Sequence, residues 1–587
     1  MSPHHRCHVF RGAFLLFAVG CVFSAGLGGP FFFDDIGSIP ANAHTATPWS
    51  FDAFSAPDQT TAAGRPLVAW TLALNRAWGG FDPWGYHAVN IAIHGLNALL
   101  LWAVLAMILC SPKRPPWLAQ QGTHLAWLVA LLWSLHPLQS EAVTYVIQRT
   151  ELMGTAATLA ALACALKSFA SPRTGRWQVA AVSCCLAGVL CKETSVAIPL
   201  LVLVVHRATF APSWRASLAS APRLYAGLAA CWLPLAALVA AGPRSDSVGF
   251  SHGITAGEWL MTQAQVLPHY LGLAFWPEPL SMVYDWPIVR TLSEAWIPGL
   301  GVLTLLLATV VALNKAPLLG LPGAWVFLLL APSSSVVPIW TEVAAERRMS
   351  LPLAAVIAVV VMASAALWRR WSGDRLVENG VAQPSRVAGL TALCLGLAAV
   401  SAGATHERSA LYNDQVALWS HTVEHQSGSA MAHAQLGRSL FLQGRFRDAV
   451  ASYEQSLVLD PSDSGAQINL GNCLLELGDI PGALACYDGA LALAPGHAPA
   501  HQNKGLALAR AGDKPGAMVC FRQALEVDDG FSDARANLAS LLLGQGDFGE
   551  AAEHLEQLLN GDPAHPLGLR LFAQLQRRFA AGAGARP

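Results

Sequence analysis

Long apolar runs, broken by short polar segments, occupy residues 1–405 and predict membrane-spanning helices. A helix needs about 20 mainly apolar residues to cross a bilayer, and on this basis we predict an all-α bundle of about 11 spans. The runs lie at residues 13–27, 91–109, 125–135, 152–166, 179–190, 196–205, 224–241, 296–313, 324–330, 351–367 and 388–404. The two runs within 179–205 are shorter than a full span, so we expect them to tilt or to extend into their flanks.

Basic residues indicate the direction of these spans. Lys and Arg cluster in alternate connections, at residues 113–114, 167–176, 207–223 and 369–370. Because such clusters favour the cytoplasmic side, we predict an integral protein of a bacterial inner membrane or its equivalent, with a cytoplasmic N-terminus and a first outer loop at 30–88. A cleaved signal peptide is the alternative interpretation of the first run. The stretch 259–276 mixes apolar and polar residues, which favours a helix lying on the outer membrane surface.

A repeat of 34 residues begins at residue 430 and gives four units, 430–463, 464–497, 498–531 and 532–565. Small residues, one large apolar residue and a closing proline recur at matching positions. These positions hold Gly437, Gly471, Gly505 and Ala539; Gly444, Gly478, Gly512 and Gly546; Ala449, Ala483, Ala517 and Ala551; Tyr453, Tyr487, Phe521 and Leu555; and Pro461, Pro495 and Pro563, with Asp529 as the exception. This is the tetratricopeptide pattern, in which each unit is a pair of packed helices.

The repeats predict a second domain, residues 406–587, that follows the membrane domain 1–405. A degenerate leading repeat is expected at 406–429 and a capping helix at 567–579, because terminal repeats depart from the pattern. The direction of the last span predicts that the repeats lie on the non-cytoplasmic side, where their concave face would hold an extended polypeptide. Unrelated amphipathic helices, and a stalk that only spaces or dimerises the membrane domain, are the alternatives.

Composition supports a polytopic membrane protein. The chain of 587 residues is 54% hydrophobic and only 12% charged, which is too apolar for a soluble enzyme of this size. A formal net charge of −1 gives no basic field for nucleic acid, so nucleic acid is excluded as a partner. Most of the 12 cysteines lie in apolar runs or repeats, which favours packing roles.

Acidic residues directly follow the first apolar run. Asp34 and Asp35 lie at its outer end, in the sequence F-F-F-D-D-I-G-S-I-P. Charges so close to hydrocarbon must face water, a partner or a site, and this pair is therefore a candidate functional site. We expect both carboxylates at exposed positions, and a solvated loop is the alternative.

Three further outer segments carry clustered charges. The first holds His136, Glu141, Arg149 and Glu151, the second Lys192 and Glu193, and the third Glu342, Glu346, Arg347 and Arg348. A continuous helix over 141–151 would place Glu141, Tyr145 and Arg149 on one face. The exposed cation pair Arg347 and Arg348 is suited to a lipid phosphate, which guanidinium groups bind in a bidentate manner. Local ion pairs, Glu346 with Arg347 or Lys192 with Glu193, are the alternative.

Short motifs along the chain resemble those of the transmembrane and tetratricopeptide-repeat-containing O-mannosyltransferases and their bacterial relatives. They are the pair at 34–35, R-P-L at 65–67, Y-H-A-V-N at 86–90, H-P-L-Q-S-E-A-V at 136–143, K-E at 192–193, Y-D at 284–285 and E-R-R-M-S-L-P at 346–352. The resemblance implies the GT-C glycosyltransferase fold. It also implies an enzyme that moves a sugar, typically mannose, from a polyprenyl phosphate to Ser or Thr hydroxyls of a polypeptide.

Inverting transfer of this kind needs a base for the acceptor hydroxyl and cations for the departing phosphate. We assign the base to Asp34 or Asp35, favouring Asp35, with the other carboxylate orienting a neighbouring group or binding a divalent metal, and phosphate binding to Arg347 or Arg348. The donor headgroup is assigned to the remaining outer-segment residues: His136, Glu141, Arg149, Glu151, Lys192 and Glu193. Arg65 and Asp285 are assigned to acceptor or loop support. The alternative function is a non-enzymatic membrane-anchored scaffold for envelope protein assembly.

Overall fold

The chain consists of α-helices joined by loops and 3-10 turns. A computed structural model describes residues 3–57, 60–171, 173–240, 249, 253–334, 338–371 and 385–583. These residues contain no β-strand, so the all-α prediction is confirmed. They form two compact units, Met1–Leu418 and Trp419–Pro587. The predicted boundary after residue 405 stays a prediction.

The first unit contains the candidate membrane helices together with shorter helices. They are α1 (Pro3–Phe23), α2 (Asp34–Ser38), α3 (Pro66–Gly79), α4 (Pro83–Leu109), α5 (Pro116–Ser134), α6 (Ser140–Thr144), α7 (Arg149–Ala170), α8 (Thr174–Val189), α9 (Ile198–Thr209), α10 (Trp214–Ser220), α11 (Pro222–Ala230), α12 (Trp232–Ala240), α13 (Ala256–Phe275), α14 (Leu292–Lys315), α15 (Pro317–Ser334), α16 (Leu353–Trp371) and α17 (Ser385–Leu411), with α18 (Gln415–His425) at the unit boundary. Hydrogen bonds join neighbouring helices within the core. For example, the Asn97 amide on α4 donates to the Leu152 carbonyl on α7 at 2.9 Å.

Within the described residues, seven helices are long and apolar enough to cross a membrane, or up to eight if the bent pair Glu193–Thr209 and Trp214–Ser220 is one span. The seven are helical segments of α1, α4, α7, α14, α15, α16 and α17. The predicted total of about 11 spans stays a prediction. The apolar stretch 259–276 is a helix, α13, which begins with a capping box of Thr255 and Glu258.

One predicted span is broken. The predicted span 224–241 falls on two helices of nine residues each, α11 and α12, which together cover 222–240 and meet at Cys231; residue 241 lies outside the described part of the chain. Pro234 explains the break, because it has no amide hydrogen to donate to the Ala230 carbonyl and its ring crowds that carbonyl. The first helix accordingly ends at Ala230.

The second unit is a series of helix pairs. Its helices are α19 (Ala430–Leu442), α20 (Phe446–Leu459), α21 (Ser464–Glu476), α22 (Ile480–Leu493), α23 (Ala498–Ala511), α24 (Lys514–Val527), α25 (Ser532–Gln545), α26 (Phe548–Gly561) and the closing α27 (Pro566–Ala583). The predicted helix at 567–579 is therefore present within α27. The leading repeat predicted at 406–429 stays a prediction.

Glycine occupies two positions in each of the first three pairs, for different reasons. Gly478, at the end of α21, has φ +83°, a conformation that ends a helix and that side chains disfavour. Gly471, inside α21, packs against the Tyr487 ring of α22, where an added Cβ would lie 2.7 Å from the ring. Both spacings recur in the neighbouring pairs, so the 34-residue pattern reflects one packing geometry.

We expect Gly471→Ala to lower the free energy of unfolding by about 1 to 3 kcal/mol, since the new methyl group overpacks the helix pair. Gly544→Ala is the matched control, because nothing lies within 4 Å of a Cβ at that helical position. It should leave stability unchanged or raise it slightly. The measurement is thermal unfolding of residues 419–587 expressed on their own, and equal losses for the two variants would contradict the packing.

Candidate functional site

The acidic pair begins α2, a helix of five residues that follows the first candidate membrane helix after a short connection. Phe33, immediately before it, has φ +49°, a strained conformation for a residue with a side chain. Such strain persists only where the surroundings hold the backbone in place. The contacts of Asp35 provide that hold.

Asp35 is fully buried, and the expectation of an exposed position is wrong for this residue. Its Oδ1 accepts from the Ile147 amide at 2.8 Å and its Oδ2 from the Phe32 amide at 3.4 Å. Burial raises the pKa of Asp35 well above its usual value. Asp35 therefore joins α2 to the segment between α6 and α7.

Asp34 lies on the other side of α2 and is only partly buried. Its backbone amide donates to Tyr145 Oη at 2.9 Å, and its Oδ2 accepts from Thr61 Oγ1 at 3.2 Å. Burial raises the pKa of Asp34, and the Glu342 carboxylate raises it further, while Arg347 opposes both effects. Of the two carboxylates, Asp34 is the one within electrostatic range of the third outer segment.

Residues 141–151 do not form the continuous helix considered above. The helix stops at Thr144, Tyr145 is extended with ψ 113°, and α7 begins at Arg149. Asn90 on α4 explains the break, because its amide donates to the carbonyls of Val143 and Val146 at 3.3 and 3.1 Å. These bonds hold the backbone open at Tyr145, and Glu141 and Arg149 do not share one helix face.

Arg149 is buried among oxygen acceptors. It donates to Asn90 Oδ1 at 2.8 Å and to Asn75 Oδ1 at 2.6 Å, and it also donates to the carbonyls of Thr71 and Tyr86 at 3.2 and 3.0 Å. A buried cation is tolerated when its hydrogen-bonding groups are satisfied in this way. Arg149 thus ties α3, α4 and α7 together, and its donors are used within the protein.

Arg347 lies between two carboxylates. Its guanidinium contacts Glu141 and Glu342, and its amide donates to Glu141 Oε2 at 3.0 Å. The suggested pair with Glu346 is replaced: Glu346 accepts from Tyr284 Oη at 2.8 Å. Burial raises the pKa of Glu346 to about 7.

Arg348 is buried and donates to the carbonyls of Val343 and Glu342 at 3.1 and 2.5 Å. The expectation of an exposed cation pair is therefore wrong. Arg348 stabilises the turn of its own segment, and Arg347 is the member of the pair that faces other segments.

The second segment contributes two further ion pairs. Lys192 contacts Glu151, and Arg65 contacts Glu193 at 3.2 Å, so the suggested pair of Lys192 with Glu193 is replaced by two longer-range pairs. Burial lowers the pKa of Lys192 to about 7, with Arg65 and Arg347 adding to the effect. Arg65 also donates to the Thr61 carbonyl at 2.6 Å, which links this segment to Asp34.

Two of the predicted site residues lie apart from these contacts. His136 Nδ1 accepts from the Leu138 amide at 3.2 Å, and burial lowers its pKa to about 4, so the ring is neutral and caps a turn. Asp285 has an exposed side chain, whereas its neighbour Tyr284 is buried against Glu346. The tyrosine of the Y-D motif is thus the residue that holds the third segment.

The interpretation of the sequence missed Thr61, Asn90, Tyr145 and Tyr284 as structural partners of the site. Asn90 carried a usable signal, because a polar residue at the edge of a long apolar run must find a partner. Thr61 carried no such signal, since residues with a hydroxyl group are common in loops. Its contact with Asp34 joins residues 27 positions apart.

A metal does not fit this arrangement well. Among the residues that the structure describes, no group of three or more His, Cys, Asp and Glu side chains could hold an ion. Both oxygens of Asp35 already accept backbone hydrogen bonds. The divalent ion considered at Asp34 and Asp35 stays a prediction, and no chemical step below depends on it.

Comparison with known families identifies the second unit. Two models described as tetratricopeptide repeat match residues 434–498 and 508–575. The second unit contains tetratricopeptide repeats. Among solved structures, a crystal structure of MamA is 20% identical and covers 25% of this chain and 86% of its own, with a TM-score of 0.24, too low to support an argument.

Comparison with curated proteins returns the family suggested by the motifs. The chain is 32% identical over 191 residues to protein O-mannosyl-transferase Tmtc3 of Drosophila melanogaster, a match that covers 28% of this chain and 20% of that protein. It is 31% identical over 195 residues to Tmtc2 of the same organism and 29% identical over 179 residues to TMTC3 of Mus musculus. These matches confirm the resemblance, and they span about a fifth of each relative.

The contacts of the two aspartates predict different effects of substitution. In Asp35→Asn, the side-chain NH2 replaces one of the two oxygens that accept hydrogen bonds from backbone N–H groups. One buried donor then loses its acceptor, so we expect a loss of about 1 to 3 kcal/mol in stability. Asp34→Asn keeps the acceptor for Thr61 and should leave stability nearly unchanged. Thermal unfolding of the purified full chain in detergent measures both, and equal melting temperatures for the two variants would refute the assignment of Asp35 to a structural role.

Proposed function

We propose that the chain is a membrane glycosyltransferase that moves a sugar, mannose in the first instance, from a polyprenyl phosphate to Ser or Thr hydroxyls of a polypeptide. One observation carries the proposal: charged residues from segments far apart in sequence meet around Asp34, at the outer end of the first membrane helix. The names of the similar proteins support the sugar and the acceptor.

Asp34 is the proposed general base. It accepts the proton of the acceptor hydroxyl while that oxygen attacks the anomeric carbon, and the bond from that carbon to the phosphate oxygen breaks. The polyprenyl phosphate leaves with both electrons of the broken bond, so no acid is needed. A pKa raised by burial suits a base, because a more basic carboxylate takes the proton more readily.

Arg347 and Lys192 are the proposed phosphate ligands. Both are now paired with glutamates, Arg347 with Glu141 and Glu342 and Lys192 with Glu151. A phosphate competes with these carboxylates for the same donors, and the glutamates hold the cations in position before the donor arrives. Arg65, paired with Glu193 and joined to Asp34 through Thr61, positions the base.

The orientation of the protein belongs to the same proposal. The basic connections support a non-cytoplasmic location for Asp34 and the repeats, where the donor lipid and the polypeptide acceptor would meet at the membrane surface. The candidate membrane helices support insertion in a bilayer. The alternative, a non-enzymatic scaffold, draws support from the extent of ion pairing, and an assay of sugar transfer separates the two functions.

The first test is transfer of mannose from polyprenyl-phospho-mannose to a Ser/Thr peptide by the purified chain. Asp34→Asn should lower the rate by about 100-fold or more, the contribution of a positioned general base. Asp52→Asn is the matched control, because Asp52 is an exposed carboxylate of the same outer loop. The same assay with a chelator tests whether transfer requires a divalent metal. If Asp34→Asn transfers sugar at nearly the parental rate, the proposed base is wrong.

The second test is the dependence of kcat/KM on pH. A protonated Asp34 cannot accept the proton of the acceptor hydroxyl. Activity should therefore fall with falling pH, with a midpoint above 3.8, the usual pKa of an aspartate. Loss of the Lys192 charge weakens phosphate binding, so activity should also fall as pH rises through about 7. Lys192→Arg, which keeps its charge at high pH, should move the alkaline limb upward while the acid limb stays in place. An alkaline limb unmoved by this variant would exclude Lys192.

A further inference from the structure

The basic connections of the first unit contain no acidic residue. Eight Lys and Arg lie at 113–114, 167–176 and 207–223, whereas no Asp or Glu occurs anywhere in 83–140, 152–192 or 194–245. The cations of the candidate site are different, because Arg65, Lys192 and Arg347 each contact a glutamate. The sequence therefore leaves the basic connections without nearby counter-charges.

Three of these cations lie at the ends of two helices. α4 begins beside Arg149 and runs for 27 residues, about 40 Å, before Lys113 and Arg114 follow it. α9 begins after Glu193 and carries Arg207 in its last turn. Both helices thus run from the candidate site to one basic end of the unit.

The carbonyl of Ala211 brings two of the cations together. Lys113 Nζ and Arg207 Nη1 donate to this carbonyl at 2.8 and 3.2 Å. Arg114 Nη2 donates at 3.2 Å to the Ala208 carbonyl, at the end of α9. Two donors that share one oxygen lie within a few ångström of each other. The three cations therefore form one group at the end of α9, which we call the basic cluster.

The carbonyl contacts do not neutralise the basic cluster. The end of a helix supplies a partial negative charge of about half an electron, whereas three side chains here are cationic. Among the residues that the structure describes, none of the three has a carboxylate partner. Burial lowers the pKa of Lys113, and the charges of Arg207 and Arg114 lower it further. The cluster thus carries an excess of positive charge that an anion would relieve.

The surroundings of the basic cluster are typical of the level of lipid headgroups. α10 is turned by 109° against the helical segment before it, and a helix that turns in this way at the end of a span lies along the membrane surface. α10 begins with Trp214, whose ring lies 6.0 Å from the Arg207 guanidinium. Tryptophan is enriched at the boundary between headgroups and hydrocarbon. One turn later, the apolar Leu218 is 47% exposed.

We propose that Lys113, Arg114 and Arg207 bind the phosphate of an anionic phospholipid, in the leaflet at this end of the helices. Lys113 and Arg207 each have further N–H donors beyond the one used on the carbonyl, and these suit phosphate oxygens. Trp214 and Leu218 lie beside the apolar part of the lipid, which a free phosphate lacks. The proposed donor site is at the other end of α4, so this inference does not rest on the proposed function.

The experiment measures binding of a fluorescent phosphatidylglycerol to the purified full chain in detergent, without sugar donor or acceptor. We expect Lys113→Gln/Arg114→Gln/Arg207→Gln to weaken binding by about 10-fold or more, because each cation near a lipid phosphate adds to the affinity. Glutamine keeps an N–H donor for the carbonyls of Ala208 and Ala211, so the end of α9 stays capped. Fluorescence anisotropy reports the bound fraction.

The matched control is Arg173→Gln/Arg176→Gln/Arg223→Gln, which removes the same charge from exposed side chains of the basic connections. It should bind phosphatidylglycerol within about 2-fold of the parent, because isolated exposed charges contribute little. Equal weakening by the two variants would indicate a general surface attraction and would overturn the basic cluster as a site.

A second arm uses the unaltered protein and therefore does not depend on the folding of a variant. Unlabelled phosphatidylglycerol should displace the fluorescent lipid, whereas phosphatidylcholine and inorganic phosphate at the same concentration should not. Displacement by either of these two would overturn the assignment to an anionic lipid. Stronger displacement by polyprenyl phosphate than by phosphatidylglycerol would overturn the assignment to a phospholipid. No arm measures sugar transfer, so a failure of the proposed function leaves this inference standing.

Discussion

The buried guanidinium of Arg149 is the constraint on which the outer part of the membrane unit depends. A cation so close to hydrocarbon must have its donors satisfied, and Asn75, Asn90 and two carbonyls on α3 and α4 do so. Asn90 also accounts for the break in the chain at Tyr145. Because of that break, the Ile147 amide is available to donate a hydrogen bond to Asp35. The position of the acidic pair therefore depends on the placement of Arg149.

The two adjacent aspartates separate into different tasks for a geometric reason. Successive side chains at the start of a helix diverge by about 100°, and Asp35 points into the protein while Asp34 remains within reach of Thr61. The buried Asp35 carboxylate holds the backbone in place, including the strained Phe33. The Asp34 carboxylate is partly exposed and remains accessible. A pair that looks redundant in sequence thus divides into a structural support, Asp35, and the carboxylate that we propose as the general base, Asp34.

Patterns with a long period were predictable from the sequence, and individual contacts were not. The 34-residue repeat and the all-α class follow from periodicity and hydropathy, which can be read from short stretches of the chain. The burial of Asp35 and Arg348 depends on residues that are distant in sequence. The break of the predicted span 224–241 at Cys231 depends on a single residue, Pro234. The ion pairs were the hardest to predict: Arg65 with Glu193 joins residues 128 positions apart, whereas sequence reasoning paired adjacent charges.

The pairing of Arg347 and Lys192 bears on how such a site would work. Unpaired cations at a membrane surface would bind any lipid phosphate, whereas cations already held by Glu141, Glu342 and Glu151 bind only a phosphate that competes with those carboxylates. A polyprenyl-linked sugar adds contacts through its sugar ring that a structural phospholipid lacks. Under the proposed function, competition with the glutamates would lower the affinity for every phosphate, and only the donor would recover that loss, through contacts of its sugar.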